Sequence, residues 1–177
     1  MPFEKPVSFG ALRVEPVASI TVSPDIDVNK VPNEDSLDSQ IDASNLFEAS
    51  RFPGYDRVED NSHVTYGVRT GAYAGTGSMA EVFLGQSYSF EDDALFPEGS
   101  GLENQSSDIV GQISGRYRDN ASLYYRFQLD NDTYRSERHE LDNTLEFGRF
   151  TLDSSYLYAR ALEGTDIDVG DSRQQIK

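Results

Sequence analysis

The chain has no cysteine and no tryptophan among its 177 residues. Without cysteine there are no disulfides and no thiolate metal centres, so an oxidising compartment is allowed but not required. Histidine is scarce too: His63 and His139 are the 2 present, and a metal centre needs three or four converging ligands. Positive charge is short, with 15 Lys+Arg against 31 Asp+Glu and a net charge of −16. That field opposes nucleic-acid binding by phosphate neutralisation, so no nucleic-acid partner is expected. It equally opposes docking on an anionic leaflet through a basic patch. No apolar run approaches the ~20 residues of a membrane helix, and the mean hydropathy is −0.57. Neither fact argues against a membrane barrel, whose strands hide their apolar half in every second residue. The opening run MPFEKPVSFGALRVEP lacks the apolar core of a signal peptide. The closing run from Ser172 to Lys177 reads as a strand cut short. Both ends are therefore expected to belong to a fragment.

What the chain has is alternation. Residues 63–74 place Val64, Tyr66, Val68, Thr70 and Ala72 on one face and Thr65, Gly67, Arg69 and Gly71 on the other. Gly75-Thr76-Gly77 makes a tight turn, and residues 78–90 resume the pattern with Ala80, Val82, Leu84, Tyr88 and Phe90 opposite Glu81, Gly85, Ser87 and Ser89. Period-2 patterning on both sides of a glycine turn predicts a β-hairpin. Its strands match the ~9–11 residues of a tilted membrane-spanning strand. Residues 9–22 form an earlier strand candidate, in which Pro16 predicts a bulge or break. Residues 108–117 and 121–129 alternate most cleanly, around the turn Asp119-Asn120. Residues 134–147 and 150–162 follow, joined by Gly148-Arg149. The parity of 150–162 is ambiguous: Phe150, Leu152, Tyr156 and Tyr158 compete with Leu157, Ala159 and Ala161. Residues 173–177 add a last candidate.

Connection lengths give an independent signal. Residues 75–77, 119–120 and 148–149 are short. The connections between them, 23–62, 91–107, the Asp130 region and 163–171, are mostly long and acidic. Short turns on one side and long loops on the other mark an up-and-down barrel. Residues 23–62 carry no sustained period, and a connection of that length is functional or mobile. The fold class expected is all-β: an antiparallel membrane β-barrel segment of about eight up-and-down strands, an open fragment of a larger barrel. Arg69, Glu81, Arg116, Arg126 and Glu140 would line a polar lumen.

The chemical candidates are few. His63, at a strand start, and His139, in a charged strand, read as solvated. Asp25, Asp27, Glu34, Asp35, Asp38 and Asp42 could gather Ca²⁺, but their spacing matches no EF-hand loop, and a solvated or ion-bridging loop is favoured. Glu81 near Ser87 and Asp142 near Ser136 suggest a hydrolase only weakly, since no G-x-S-x-G is present. Gly99-Ser100-Gly101 and Gly75-Thr76-Gly77 are turns rather than phosphate loops, because no helix follows. Tyr124, Tyr125 and Phe127 read as strand packing or an interfacial girdle. No catalytic, cofactor-binding or metal residue is assigned, no cofactor is expected, and the chain is expected not to be an enzyme.

Several motifs in order carry a resemblance: Val31-Pro32-Asn33-Glu34-Asp35-Ser36, Asn45-Leu46-Phe47, Arg51-Phe52-Pro53-Gly54-Tyr55-Asp56-Arg57-Val58-Glu59, Tyr66-Gly67-Val68-Arg69 and Gly85-Gln86-Ser87-Tyr88. Leu12-Arg13-Val14-Glu15-Pro16-Val17 and Ser107-Asp108-Ile109-Val110-Gly111 extend it. The chain resembles the LPS-assembly protein LptD (organic solvent tolerance protein) family. The resemblance implies that residues 1–177 are an interior part of that family's C-terminal β-barrel domain, with a long outer loop at about 23–62. The family's periplasmic jellyroll domain has no counterpart here, nor do the barrel's first and last strands. The implied function is transport and assembly of lipopolysaccharide to the outer leaflet, in the outer membrane of a Gram-negative bacterium. Implied partners are lipopolysaccharide, an LptE-like plug lipoprotein in the lumen, the remaining LptD strands and jellyroll domain, and outer-membrane lipids. Two other readings stay open at the level of sequence: a complete small eight-stranded barrel acting as adhesin or anchor, and a soluble β-sandwich lectin.

Overall fold

The computed structural model describes residues 2–24, 40–52, 59–91, 96 and 99–160, and the backbone of 173–176. Nine strands run through the described residues: β1 (Phe3–Val7), β2 (Gly10–Thr21), β3 (His63–Ala74), β4 (Met79–Ser89), β5 (Ile109–Tyr117), β6 (Ala121–Leu129), β7 (Ser136–Phe147), β8 (Phe150–Ala159) and β9 (Arg173–Ile176). They form one antiparallel sheet in sequence order, and β1 and β9 do not pair with each other. The sheet is therefore the open, up-and-down fragment that alternation and turn spacing predict. Each expected strand is present, and the short β1 adds to them at the leading edge.

The hairpin turns at one end are tight. Gly77 (φ +83°), Arg118 (φ +50°) and Gly148 (φ +62°) supply the left-handed residues that reverse the chain. Pro16 makes no bulge: the β2–β3 register passes through Pro16↔Val68 without a shift. The described β1–β2 pairing ends at Phe3↔Val14. The irregularity falls instead between Gln128 and Leu129, where β6 meets β7.

Register fixes the two faces, because directly paired residues share one. A single row runs Val14↔Thr70, Thr70↔Val82, Val82↔Ile113, Ile113↔Tyr125, Tyr125↔Leu141 and Leu141↔Tyr156. Pairs such as Arg69↔Phe83, Glu81↔Ser114 and Arg126↔Glu140 lie on the opposite face. This settles the parity of β8: Phe150, Leu152, Tyr156 and Tyr158 stand on the apolar face, and Leu157 and Ala159 on the polar one.

The amphipathicity is inverted relative to a water-soluble sheet. Along β2 the apolar residues Leu12, Val14 and Ile20 are 40%, 43% and 70% exposed, while Arg13, Glu15, Ser19 and Thr21 between them are half-buried. Aliphatic side chains occupy the middle of this face. Tyr66, Tyr88, Phe127 and Tyr158 lie toward the long connections, and Tyr117, Phe147 and Phe150 toward the short turns, with Tyr125 in the middle row between Ile113 and Leu141. An apolar band between two aromatic girdles is the exterior of a membrane barrel.

Among the described residues the buried hydrophobic cluster lies on the polar face. Ile41 and Leu46, both fully buried, pack with Phe83 of β4 and Val110 of β5, and Ala43, Phe47 and Leu102 border them. Residues 40–52, the described middle of the 23–62 connection, therefore fold back over the sheet. Burying Ile41 and Leu46 contributes roughly 1.5–3 kcal/mol each, enough to hold down a segment with no periodicity of its own.

Candidate functional site

The polar face under residues 40–52 and 99–108 is the site the fold builds, and three polar clusters pin this cap. The first is buried. Arg51 at the end of the cap donates to the Glu59 carboxylate from Nη2 and, at 2.8 Å, from Nε, and its backbone N–H reaches the same group at 3.2 Å. His63 Nδ1, at the start of β3, lies 3.3 Å from Glu59 Oε1, the oxygen that Arg51 Nη2 also binds. Arg51, Glu59 and His63 are 6%, 2% and 1% exposed. His63 is thus not solvated at a strand start: the cap and Glu59 close over it. The ring of Phe52 stacks on Phe96 with centroids 4.4 Å apart, shielding the cluster from water.

The second cluster ties the cap to β6 and β7. Asp42 lies 3.8 Å from Arg126, which also pairs with Glu140 at 2.8 Å. Arg138 Nη1 donates to Gln40 Oε1 at 2.9 Å. Burial pushes the Asp42 carboxyl up, but hydrogen bonds from Ser44 Oγ, Ser44 N and Asn45 N, with the charge of Arg126, outweigh it and hold Asp42 below its ordinary range.

The third cluster closes residues 99–108. Gly99 and Gly101, both with positive φ, turn the chain. Asp108 N then donates to Gly101 O at 2.8 Å. The buried Asp108 carboxylate accepts from Gln128 Nε2 at 2.8 Å and from Asn131 N at 3.1 Å. Burial pushes Asp108 up to about 6, against the pull of those two donors.

Toward the short turns the polar face lies beyond the cap. There Arg69 faces Glu15 and Glu81 at 3.8 and 3.9 Å. Arg13 pairs with Glu4 at 3.1 Å and lies 5.1 Å over the Tyr73 ring. Such half-exposed pairs suit a wet, charged wall. The residues expected to line a lumen, Arg69, Glu81, Arg116, Arg126 and Glu140, do share this face.

The other candidates disperse. His139 is not solvated in a charged strand but stands on the apolar face, where Tyr125 stacks against it at 5.8 Å and 10°. Its Nδ1 meets Tyr125 Oη at 2.6 Å, and its Nε2 contacts Ser136 Oγ. A tyrosine thus occupies the place of an orienting carboxylate. Ser87 is buried against Thr65 and Ser107. Tyr124 points to the polar face beside Arg126, whereas Tyr125 and Phe127 point outward. Asp25, Asp27, Glu34, Asp35 and Asp38 lie outside the described residues. Among the described residues no three His, Asp or Glu side chains converge as a metal site.

Charge divides the two ends of the sheet. The connections 22–62, 90–108, 130–135 and 160–172 hold 22 of the 31 acidic residues and 5 of the 15 basic ones. The short-turn end carries Arg118 and Arg149 with a single acid, Asp119.

The comparisons with known proteins agree with this architecture. The family model LptD, LPS transport system D, matches residues 1–174. The LPS-assembly protein LptD of Hahella chejuensis is 29% identical over 165 residues, which are 88% of this chain and 20% of that protein. The protein of the same name from Nitrosomonas europaea is 27% identical over 71% of the chain and 18% of its own length. That from Acinetobacter baumannii is 40% identical over 34% of the chain and 8% of its length. The chain thus spans about a fifth of the length of the longest-matched relative. An open antiparallel sheet with an apolar exterior, a capped polar face and a family match along nearly its whole length places the chain in the LptD family.

Proposed function

We propose that this chain is a wall segment of an outer-membrane barrel that transports lipopolysaccharide and delivers it to the outer leaflet of a Gram-negative bacterium. The observation that carries the reading is the inverted sheet. Its exposed face is aliphatic between two aromatic girdles, and its charged face is roofed by its own connecting segments. A soluble β-sandwich would bury the first face and expose the second, so that reading loses its support. A closed eight-stranded barrel would require the edge strands to meet, and β1 and β9 do not.

In this reading the apolar face meets acyl chains and the polar face lines the lumen. The long acidic connections lie outside the cell and the short turns in the periplasm. The part of the polar face beyond the cap, with Arg13, Arg69, Glu81 and Tyr73, suits a polar protein surface in the lumen, as an LptE-like plug lipoprotein would offer. The chain acts as scaffold and conduit, with binding and exclusion as its chemistry. The remaining strands and a jellyroll domain would complete the machine.

Single cysteines at Asp132, in a long-side connection, and Asn120, in a short turn, test the orientation in the full-length protein. A membrane-impermeant thiol reagent applied to intact cells should label Asp132→Cys and leave Asn120→Cys unlabelled. The reverse pattern would invert the topology, and equal labelling would remove the membrane barrier from the account.

A further inference from the structure

Near the short-turn end of the apolar face, Phe9, Ala72, Ala80, Gly115, Tyr117 and Leu123 help line an open apolar groove of about 660 Å³. Gly115 forms its floor. A side chain would fit there without collision, since an added Cβ meets nothing closer than 4.0 Å. By contrast, at Gly111 on the same strand an added Cβ would overlap the Phe127 ring. Gly111 therefore has a packing reason and Gly115 has none within the chain. Its empty space continues the groove.

The cations supply the second observation. Arg13, Arg51, Arg69, Arg126, Arg138 and Arg160 each face a carboxylate. Among the described arginines with placed side chains, Arg116, Arg118 and Arg149, all at the short-turn end, and Arg135 have no such partner. Arg118 is held at the groove's rim by its positive φ, by its N–H bonded to Ser78 Oγ at 3.2 Å and by its guanidinium 5.4 Å over the Tyr117 ring. An unpaired cation is conspicuous in a chain of net charge −16. Stacked on an aromatic ring at an apolar–aqueous boundary, it is suited to a phosphate.

We propose that this groove seats an acyl chain of an anionic glycerophospholipid from the leaflet beside the short turns, with the lipid phosphate at Arg118. The inference rests on the reading that the apolar face meets membrane and adds one preferred lipid position to it. The acyl chain fills the space over Ala72, Ala80 and Gly115, which lipid packing would otherwise leave void. Arg118 and the backbone of its turn hold the headgroup at the boundary.

The test uses the full-length protein in phosphatidylcholine nanodiscs doped with phosphatidylglycerol that carries a diazirine in one acyl chain. Irradiation followed by mass spectrometry should find cross-links concentrated on residues 115–123. Gly115→Phe fills the groove and should lose those cross-links while leaving labelling around Leu84 unchanged. Gly115→Leu, smaller and aimed into the same free space, gives the same answer should phenylalanine impair assembly. Arg118→Gln should keep the acyl contact but reduce the preference for phosphatidylglycerol over an equally labelled phosphatidylcholine by roughly two- to fivefold, as befits one exposed ion pair. Even labelling over the whole apolar face, or groove cross-links that survive both Gly115 variants, would overturn the proposal and leave the membrane reading intact. An apolar face that takes no label at all would overturn both.

Discussion

On the polar face Arg51, Glu59 and His63 are almost fully buried beneath residues 40–52, while on the apolar face of the same sheet Phe150 is 80% exposed. Both arrangements rest on one backbone and one register. A slip of a single residue would exchange every side chain between the faces. The difference shows that this sheet is built for two surroundings. In the proposed membrane setting, one face stays apolar because hydrocarbon covers it. The other keeps its charges because each buried one has a partner where water is excluded: Arg51 with Glu59, Arg126 with Asp42 and Glu140, and Asp108 with Gln128.

The comparison breaks most severely where a buried charge loses its partner. Glu59→Ala should leave the buried Arg51 guanidinium uncompensated, while His63 keeps its contact with Asn61 O, and destabilise the cap by about 3–5 kcal/mol. Hydrogen exchange of residues 40–52 would then approach that of an open loop. Arg51→Leu combined with Glu59→Leu should cost less than either single loss, because no charge is stranded. A double variant worse than both singles would show that the ion pair itself carries the stability.

On the apolar face, Ile113→Arg should cost roughly 2–4 kcal/mol by placing a charge in hydrocarbon. Ser114→Arg, one residue on and facing the polar side beside Glu81, should be far milder. Heat-modifiable gel migration of the full-length protein measures both, and equal losses would refute the assigned faces.

How much of this was legible beforehand differs between the faces. Alternation in 63–74 and 121–129, with the tight turns between short-spaced strands, located the strands and both surfaces. The apolar face is written in period 2, which requires no tertiary knowledge. The cap is not periodic. Ile41, Leu46 and Phe47 stand at irregular intervals in an acidic segment, and only the apolar spots at Phe83 and Val110 on the polar face explain where they go. Those two residues, breaking a run of polar neighbours, were the available signal. The burial of His63 follows from the cap and was hidden with it. His139 misled because charged neighbours dominate its strand, yet parity alone places it with Tyr125 and Leu141. Pro16 predicts a bulge, yet the β2–β3 register passes it without a shift.

A smaller effect sharpens the comparison through pH. Asp108 titrates near 6 when folded, above its unfolded range near 3.9. The folded state therefore binds the extra proton between those values, and the cap gains stability as pH falls from about 6 toward 4. The gain is at most about 3 kcal/mol. Asp42 and Asp130, held low by their hydrogen bonds, do not oppose it in this window. His63, held below its ordinary value by burial and by Arg51, protonates more readily unfolded and works against it below about pH 6.5. Protection of residues 99–108, corrected for intrinsic exchange, should increase from pH 7 to pH 5. Asp108→Asn should remove the Asp108 share of that response.

The mildest test compares two glycines. At Gly85 an added Cβ would overlap Leu46 Cδ2 and lie 3.2 Å from Tyr66 O, while at Gly115 it meets open space. Gly85→Ala should loosen the cap by about 1–3 kcal/mol, and Gly115→Ala should be near neutral, both read by exchange at residues 40–52.

The central claim is that the exposed apolar side chains of this sheet face hydrocarbon and the alternate ones do not. Spin labels placed singly at each position from Ala121 to Leu129 of the full-length protein, reconstituted in bilayers, test it directly through collision with oxygen and with a water-soluble nickel chelate. Oxygen accessibility should peak at Leu123, Tyr125 and Phe127, with minima at Ser122, Tyr124 and Arg126. The same alternation with its phase reversed, or accessibility to both agents without period 2, would contradict the account.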